Sequence, residues 1–419
     1  MLDHKEYLLD NGVRVFIVSR EKTPRIAIDI SVRGGIKEEQ YPGLLRMAAR
    51  LSLKGTEKYS YDDIVTIIDN NALSITHSIL SDYSILRCTA LNDKFETVID
   101  LLSDILLRPS FDKFDDELAL LAGELQFALD MPGELCADTL ERTFHQNHPY
   151  GYTASVILEN IALMKKEEMR ENYHKYLVPD KISIVIVGDF TDINEKKIVD
   201  KLNLLFGSFC KESQRTSNIE KSAILTKKDI LVTKILPSTN QAHYMTAWQS
   251  VKRGHENQAA MTMFSNILGG AGLTTRLFLE LRDKEGLAYG VHSHYTPYES
   301  IGQFTVAIST TPANILHVKK GFEREIQKLQ NELVSEEELN RVKTKLISRQ
   351  LIASQTNTNI ALNATNGIAC GFGIKFISEL FKKIEKVNSE DVLSAAKSVV
   401  PPSVTTIISA NEDDFLPVK

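Results

Sequence analysis

The sequence is poor in cysteine, and it lacks long apolar runs and long runs of like charge. Its four cysteines lie far apart in 419 residues, which excludes a disulfide framework and a C-x-x-C metal or redox motif. No apolar run approaches the roughly 18 residues that a membrane-spanning helix needs. Lys+Arg 49 against Asp+Glu 55 gives a formal net charge of −6, so neither nucleic acid nor a membrane surface is expected as a partner.

The composition is that of an ordinary globular protein, with 43% hydrophobic and 25% charged residues. A chain of 419 residues exceeds what one hydrophobic core usually organises, so at least two domains are expected. The first twenty residues carry charge throughout and lack the apolar core of a signal peptide. We therefore expect a cytoplasmic location.

One pattern of strands and helices occurs twice along the chain. In each half two strands precede a short helix, a further strand precedes two long helices, and an apolar strand comes late. The predicted helices lie at 43–53, 61–70, 93–107 and 112–130 in the first half, and at 256–268, 313–331 and 335–352 in the second. The repeat predicts an α/β (α+β) fold with two homologous domains from an internal duplication, each a sheet backed by helices. We place the domains at 1–209 and 229–419, with a polar linker at 210–228.

Histidine-containing and glycine-rich segments are weaker site candidates. His145 and His148 lie in a segment with Pro and Gly, and they predict a polar loop because no further metal ligand is in view. His292 and His294 share one face of a predicted strand and are interpreted as a polar strand face. The glycines at 269–272 lack the Lys-Ser/Thr of a phosphate-binding loop and predict a helix-ending turn.

Two further stretches are more specific. In GLLRMAARLSLKGT, residues 43–56, apolar residues at helical spacing predict a buried face, and Arg46 and Arg50 lie side by side on the same helix. In TTRLFLELRDKEGLAYGV, a helix leads through a Lys-Glu-Gly turn into a strand, with Arg282 and Tyr289 on either side. From spacing alone, this second pair could be a helix C-terminal arginine and a core tyrosine.

Together with HPYG at 148–151, these stretches resemble the pitrilysin and mitochondrial processing peptidase family, whose peptidases carry the inverted zinc motif H-x-x-E-H. Active members have a run of the form GLAHFLEHMLFKGT, and this sequence matches it at Gly43, Leu44 and the final Lys-Gly-Thr. The resemblance covers essentially the whole chain. It implies two domains that close like a clam-shell around a peptide cavity.

The sequence departs from the family at every zinc position. Arg46 and Arg50 stand where the two zinc histidines would be, and Ala49 replaces the glutamate that activates water. The third family ligand, a downstream glutamate, aligns with Glu124. Because arginine has no lone pair for a metal, no metal or cofactor is expected in this chain. We predict instead that Arg46 or Arg50 forms an ion pair with Glu124.

The Arg/Tyr motif is retained. In the family, an arginine and a tyrosine at this spacing contact the bound peptide, and in some members one subunit carries zinc while its partner carries this pair. The resemblance therefore implies that Arg282 and Tyr289 act in trans with a homologous zinc-bearing subunit that has an intact H-x-x-E-H motif. The chain would be inactive alone, and the heterodimer would be a metallopeptidase for peptides or unfolded segments.

One alternative stays open at this point. A catalytically inactive homologue could have a structural or peptide-binding role in a larger complex, as some family members do in respiratory complexes. An independent enzyme with other chemistry has no supporting constellation in the sequence.

Overall fold

The chain forms two compact units, which are described separately. The computed structural model describes residues 4–190, 195–207, 209 and 228–411, and the side chain of Tyr289 lies outside this description. The first unit comprises the described residues of Met1–Gly123, Ile157–Glu220 and Gln350–Ile377, and the second those of Glu124–Val156, Lys221–Arg349 and Ser378–Lys419. Each unit therefore takes segments from both halves of the sequence.

A six-stranded sheet forms the centre of the first unit. Its strands are β1 (Lys5–Leu8), β2 (Arg14–Ser19), β3 (Arg25–Arg33), β4 (Ser74–Ile79), β5 (Tyr83–Leu91) and β6 (Ile182–Gly188), in the spatial order β1-β2-β6-β3-β5-β4. β2 and β6 are parallel, and the other neighbours are antiparallel. All seven residues of β6 are buried, which explains why its sequence ISIVIVG is apolar on both faces.

A five-stranded sheet of the same design forms the centre of the second unit. Its strands are β7 (Ile230–Ile235), β8 (Ala242–Ser250), β9 (Ala288–Pro297), β10 (Gly302–Thr310) and β11 (Ser403–Ser409), in the order β7-β11-β8-β10-β9. The pair β7/β11 is parallel and the others are antiparallel. Without β1, the first sheet has the same strand order and directions. The topology confirms the internal duplication predicted from the sequence.

Helices cover these sheets. They are α1 (Leu44–Ser52), α2 (Tyr61–Asn70), α3 (Phe95–Leu107), α4 (Phe114–Leu129), α5 (Pro132–Phe144), α6 (Ala154–Asn160), α7 (Lys166–Tyr176), α8 (Glu195–Leu202), α9 (Gln258–Gly269), α10 (Ile315–Asn331), α11 (Glu336–Ala353), α12 (Asn357–Ala369), α13 (Phe376–Lys386) and α14 (Ser389–Lys397). Each helix predicted from periodicity has a counterpart among them. Within the described ranges, no helix is both long and apolar enough to cross a lipid bilayer.

The two units exchange one helix each. α12, from the second half of the sequence, packs on β3 and β6, and its Ile360 and Ile368 join a buried cluster with Phe16 and Val185. α5, from the first half, packs on β8 and β11, and its Leu140 joins a buried cluster of that unit. Each sheet therefore depends on a helix from the other half for the cover of one face.

Because of this exchange, the compact units of the structure differ from the contiguous domains predicted from the sequence. The predicted linker at 210–228 lies outside the described residues except for Lys228, so the boundaries 1–209 and 229–419 remain a prediction. The compact units are discontinuous, because 124–156 belongs to the second and 350–377 to the first.

Candidate functional site

The segment interpreted from the sequence as a degenerate zinc motif lies on α1. The helix follows Gly43, whose φ of 87° is a left-handed conformation that favours glycine. A Cβ at Gly43 would also lie 2.7 Å from Met164 Cε, so the close approach of these two segments needs a residue without a side chain. The predicted apolar face is buried, as is Ala49, while Arg46 is exposed.

A buried carboxylate caps the start of this helix. Glu39 Oε2 accepts a hydrogen bond from the backbone N–H of Gly43 at 2.8 Å, and Oε1 accepts from those of Leu45 at 2.9 Å and Arg46 at 3.3 Å. Burial raises the pKa of Glu39 to about 7, although these three N–H donors act in the opposite direction. An anion at this position is favoured by the unsatisfied N–H groups of a helix N-terminus.

The far end of α1 is bound to α4 through a second buried carboxylate. Arg50 Nε donates to Glu117 Oε2, and Lys54 Nζ lies 3.0 Å from Glu117 Oε1. Burial by itself raises the pKa of the Glu117 carboxyl, but the hydrogen bonds from Lys54 and Arg50 bring it below its ordinary value. Glu117 is therefore an anion with two cationic partners.

These side chains do not suit zinc. Positions 46, 49 and 50 offer two guanidinium groups and a buried methyl group, none of which can donate a lone pair to a metal. In the described ranges, no group of three or more His, Cys, Asp and Glu side chains is placed to hold a metal ion. The observed bond from Arg50 to Glu117 uses a guanidinium as counter-charge instead. The basic side chains at this end of α1 form ion pairs.

The sequence analysis missed Glu117 and proposed Glu124 as the partner of the arginines. Glu124 lies two turns further along α4, in the segment assigned to the second unit, and its pairing with Arg46 or Arg50 stays a prediction. One signal in the sequence points to Glu117. It shares the buried stripe of α4 with Leu121 and Leu125, and a carboxylate on such a stripe needs a cationic partner.

The Arg/Tyr motif lies in the second unit. Arg282 belongs to the π-helical segment Phe278–Lys284, and its guanidinium carbon lies 4.4 Å from the centre of the Phe278 ring. The turn at Gly286 has a φ of 64° and leads into β9, where Tyr289 is the second residue. Arg282 therefore precedes this turn and Tyr289 follows it, as predicted.

The turn itself is held by a charged contact. Glu285 accepts a hydrogen bond from Arg324 of α10 at 2.6 Å, and His317 Nε2 lies 3.0 Å from its second oxygen. The backbone N–H of Leu287 donates to the carbonyl of Leu281 at 2.8 Å. These bonds fix the path of the chain between Arg282 and β9.

A cavity of about 540 Å³ opens between α5 and the strands β8, β9 and β10 of the second unit. Glu141, Met245, His292 and His294 contribute to its lining. Both β9 histidines are exposed, in agreement with the predicted polar strand face. Partial desolvation in the wall of the cavity, together with the neighbouring His294, lowers the pKa of His292. The strand that carries Tyr289 therefore also borders a cavity of the size of small-ligand pockets.

The loop predicted at His145 and His148 is present between α5 and residues 149–151, but both side chains are buried rather than exposed to solvent. His145 follows the last residue of α5, and its Nε2 lies 2.8 Å from Gln303 Oε1 on β10. Gln303 Nε2 in turn donates to Glu141 Oε1 at 2.6 Å. The sequence showed polar residues near Pro and Gly, but it could not show that α5 brings this segment onto a sheet.

Comparison with known proteins agrees with this fold. The sequence profile of the peptidase M16 inactive domain matches residues 164–346, and the insulinase profile of peptidase family M16 matches residues 14–155. The chain is 24% identical over 400 residues to the uncharacterized zinc protease YmxG of Bacillus subtilis, covering 94% of this chain and 95% of that protein. It is 22% identical over 415 residues to an uncharacterized zinc protease of Rickettsia felis, covering 97% of each.

Two solved structures share the fold. A peptidase M16 inactive domain from Pseudomonas fluorescens superimposes with a TM-score of 0.85 at 18% identity, over 98% of this chain and 99% of that chain. A protease from Helicobacter pylori gives a TM-score of 0.88 at 18% identity, over 98% of this chain and 100% of that chain. With profiles of one family on both halves and the same fold, the chain belongs to peptidase family M16, the pitrilysin family.

Proposed function

We propose that this chain is the non-zinc subunit of a heterodimeric metallopeptidase that acts on peptides or unfolded segments. Its homologous partner would carry an intact H-x-x-E-H motif, which supplies the metal and the base that activates water. This chain would supply substrate-binding and oxyanion-stabilising groups from Arg282 and Tyr289.

The observation that carries the proposal is the contrast between α1 and the turn after Phe278–Lys284. α1 keeps its buried face, but its zinc positions hold arginine and alanine. The turn, by comparison, keeps both Arg282 and Tyr289 at the spacing of the family motif and is fixed by the bond from Arg324 to Glu285. Loss of one motif with retention of the other is what division of labour between two subunits requires.

Arg282 is suited to bind a substrate carbonyl. The cation–π contact with the Phe278 ring, at 4.4 Å, restricts the position of its guanidinium, whose N–H groups are hydrogen-bond donors. A tyrosine hydroxyl at position 289 would donate to the oxyanion that forms when water adds to the scissile carbonyl. Donors fixed before the reaction stabilise this charge without reorganisation.

The sheet edges support a peptide as substrate. β9, which carries Tyr289, is the last strand of the second sheet, and β4, next to α1, is the last strand of the first. An extended peptide can pair with the free edge of such a strand through main-chain hydrogen bonds, which are independent of its side chains. This mode of binding suits peptides and unfolded segments of varied sequence.

The experiment compares the isolated chain with a mixture that contains the homologous zinc-bearing subunit from the same genome. Zinc content is measured by mass spectrometry, and cleavage is measured with a fluorogenic peptide. We expect no stoichiometric zinc and no hydrolysis for this chain alone, and both in a complex that elutes as one species. Tight zinc in the pure chain that is lost in Glu124→Ala would contradict the proposal.

The alternative role in a larger complex predicts a different result. A structural or peptide-binding homologue would join its complex with no effect of Arg282 or Tyr289 on turnover. The same mixture therefore separates the two functions when these residues are substituted.

A further inference from the structure

A stripe of cationic side chains follows α1. Arg46, Arg50 and Lys54 are spaced four residues apart, so they lie along one side of the helix and the turn that follows it. A local excess of positive charge contrasts with the net charge of −6 for the whole chain. Like charges at this spacing are unfavourable for a helix unless an anion lies near them.

A buried anion lies against this stripe. Glu117 binds both Arg50 and Lys54, one with each carboxylate oxygen. Lys113 adds a fourth cation nearby, since its Nζ and that of Lys54 both lie over the Tyr61 ring, at 4.6 and 4.9 Å. Glu117 is thus shared by two members of a local group of four basic side chains.

Arg46 is the member of the stripe that remains without an ion pair in the described part of the chain. Its side chain is exposed, and no carboxylate lies within ion-pair distance of it. The charge of Arg46 acts on Glu39, but both oxygens of that carboxylate accept hydrogen bonds from the backbone N–H groups that begin α1. An exposed guanidinium beside two further cations is a binding site for an anion with planar geometry.

We propose that Arg46 binds a carboxylate of the peptide substrate, so that this subunit selects acidic peptides. The inference rests on the proposed function, because it names the substrate class of that peptidase. The carboxylate would come from a glutamate or aspartate side chain or from the peptide's C-terminus. A guanidinium pairs with either through two parallel N–H···O bonds.

The neighbourhood of α1 favours a peptide over a free anion. α1 packs against the edge strand β4, where Ser52 Oγ lies 2.8 Å from His77 Nδ1. A peptide paired with the outer edge of β4 would run beside α1, the helix on which Arg46 is exposed. Main-chain pairing would give affinity, and Arg46 would give selectivity.

The test measures binding of labelled, unstructured peptides to the full chain by fluorescence anisotropy. Three peptides share one sequence: a neutral form with an amidated C-terminus, a form with one Gln replaced by Glu, and a form with a free C-terminal carboxylate. We expect one or both carboxylate forms to bind roughly fivefold to tenfold tighter than the neutral form, as a charge-assisted pair at a partly exposed site gives. The form that shows the gain identifies the source of the carboxylate.

Arg46→Gln should remove this preference and leave the affinity for the neutral peptide unchanged, while Arg46→Lys should keep part of it. Arg25→Gln is the matched control, because Arg25 is an exposed arginine at the opposite end of β3 from the loop that leads to α1. Equal binding of all three peptides, or a preference that persists in Arg46→Gln, overturns this inference and leaves the proposed function standing. Failure of every peptide to bind also overturns this inference, whereas the proposed function is tested separately by turnover of the complex with the zinc-bearing partner.

Discussion

The Arg50 guanidinium of α1 donates a hydrogen bond to the Glu117 carboxylate of α4, and Lys54 binds the other oxygen of the same group. Glu117 is almost fully buried, so its carboxylate has lost most of its contact with water. The two cationic partners compensate for this loss. The end of α1 is held against α4 by these two ion pairs.

Glu117→Gln should destabilise the protein. The substitution keeps the shape of the side chain but leaves Arg50 and Lys54 partly buried without their counter-charge. We expect a loss of about 1.5–3 kcal/mol in the free energy of unfolding, the range for hydrogen bonds to charged groups. Urea unfolding measures it, with Asp116→Asn, an exposed neighbour on α4, as control. Equal stability of both variants would show that the pair contributes nothing.

Glu39 should make the protein less stable as the pH rises. Its pKa is raised from 4.5 to about 7, so the folded state binds its proton more tightly than the unfolded state does. This contribution is complete below about pH 4.5 and is lost as the pH rises through about 7, a change of about 3 kcal/mol. Glu39→Gln should remove this slope in urea unfolding measured across the window. A variant with the slope of the wild type would contradict the effect.

His77 should act in the opposite direction. Burial lowers its pKa from 6.5 to about 4, so the unfolded state binds the proton more tightly and stability is lost as the pH falls from 6.5 to 4. Between pH 4.5 and 6.5 the effects of Glu39 and His77 oppose each other and partly cancel in the wild type. We expect His77→Gln to become more stable on acidification in this window, where the wild type changes little. If His77→Gln follows the wild type at every pH, the ring is not buried in this way.

The exchange of α5 and α12 predicts that neither half of the chain folds alone. A fragment of residues 1–209 lacks α12, whose Ile360 and Ile368 are buried against the sheet. Their removal from water contributes about 1.5–3 kcal/mol each, a large fraction of the stability of a typical domain. Circular dichroism should show no cooperative thermal transition for either fragment, and a transition should return when both are mixed. A cooperative transition in either fragment by itself would contradict the prediction.

Much of the fold follows from periodicity. α1 at 44–52 falls within the predicted helix 43–53, and α10 at 315–331 falls within the predicted helix 313–331. The duplicated order could be recognised because local pattern sets the type of each element. The edge strand β4 and the exchanged helices α5 and α12 were missed, since an apolar stripe shows that a face is buried but not which sheet covers it.

For the candidate site, the sequence likewise predicts where residues lie on their elements but not which side chains they contact. The positions of Arg46, Arg50, Arg282 and Tyr289 on their elements could be predicted from the motifs. The contact from Arg50 to Glu117 could not, because two carboxylates two turns apart on α4 have the same helical phase. Only the depth of burial along the helix distinguishes them.

The most direct test of the central claim is the turnover number of the complex with the zinc-bearing partner when Tyr289 is replaced by Phe. Tyr295→Phe is the matched control on β9, since its hydroxyl donates to the Val251 carbonyl at 2.7 Å and has a structural role. Complex formation is checked first by size-exclusion chromatography. Loss of one oxyanion donor costs about 2.7–4 kcal/mol, so Tyr289→Phe should lower the turnover number by a factor of about a hundred to a thousand while Tyr295→Phe keeps it. If Tyr289→Phe assembles and cleaves like the wild type, the chain does not complete its partner's active site.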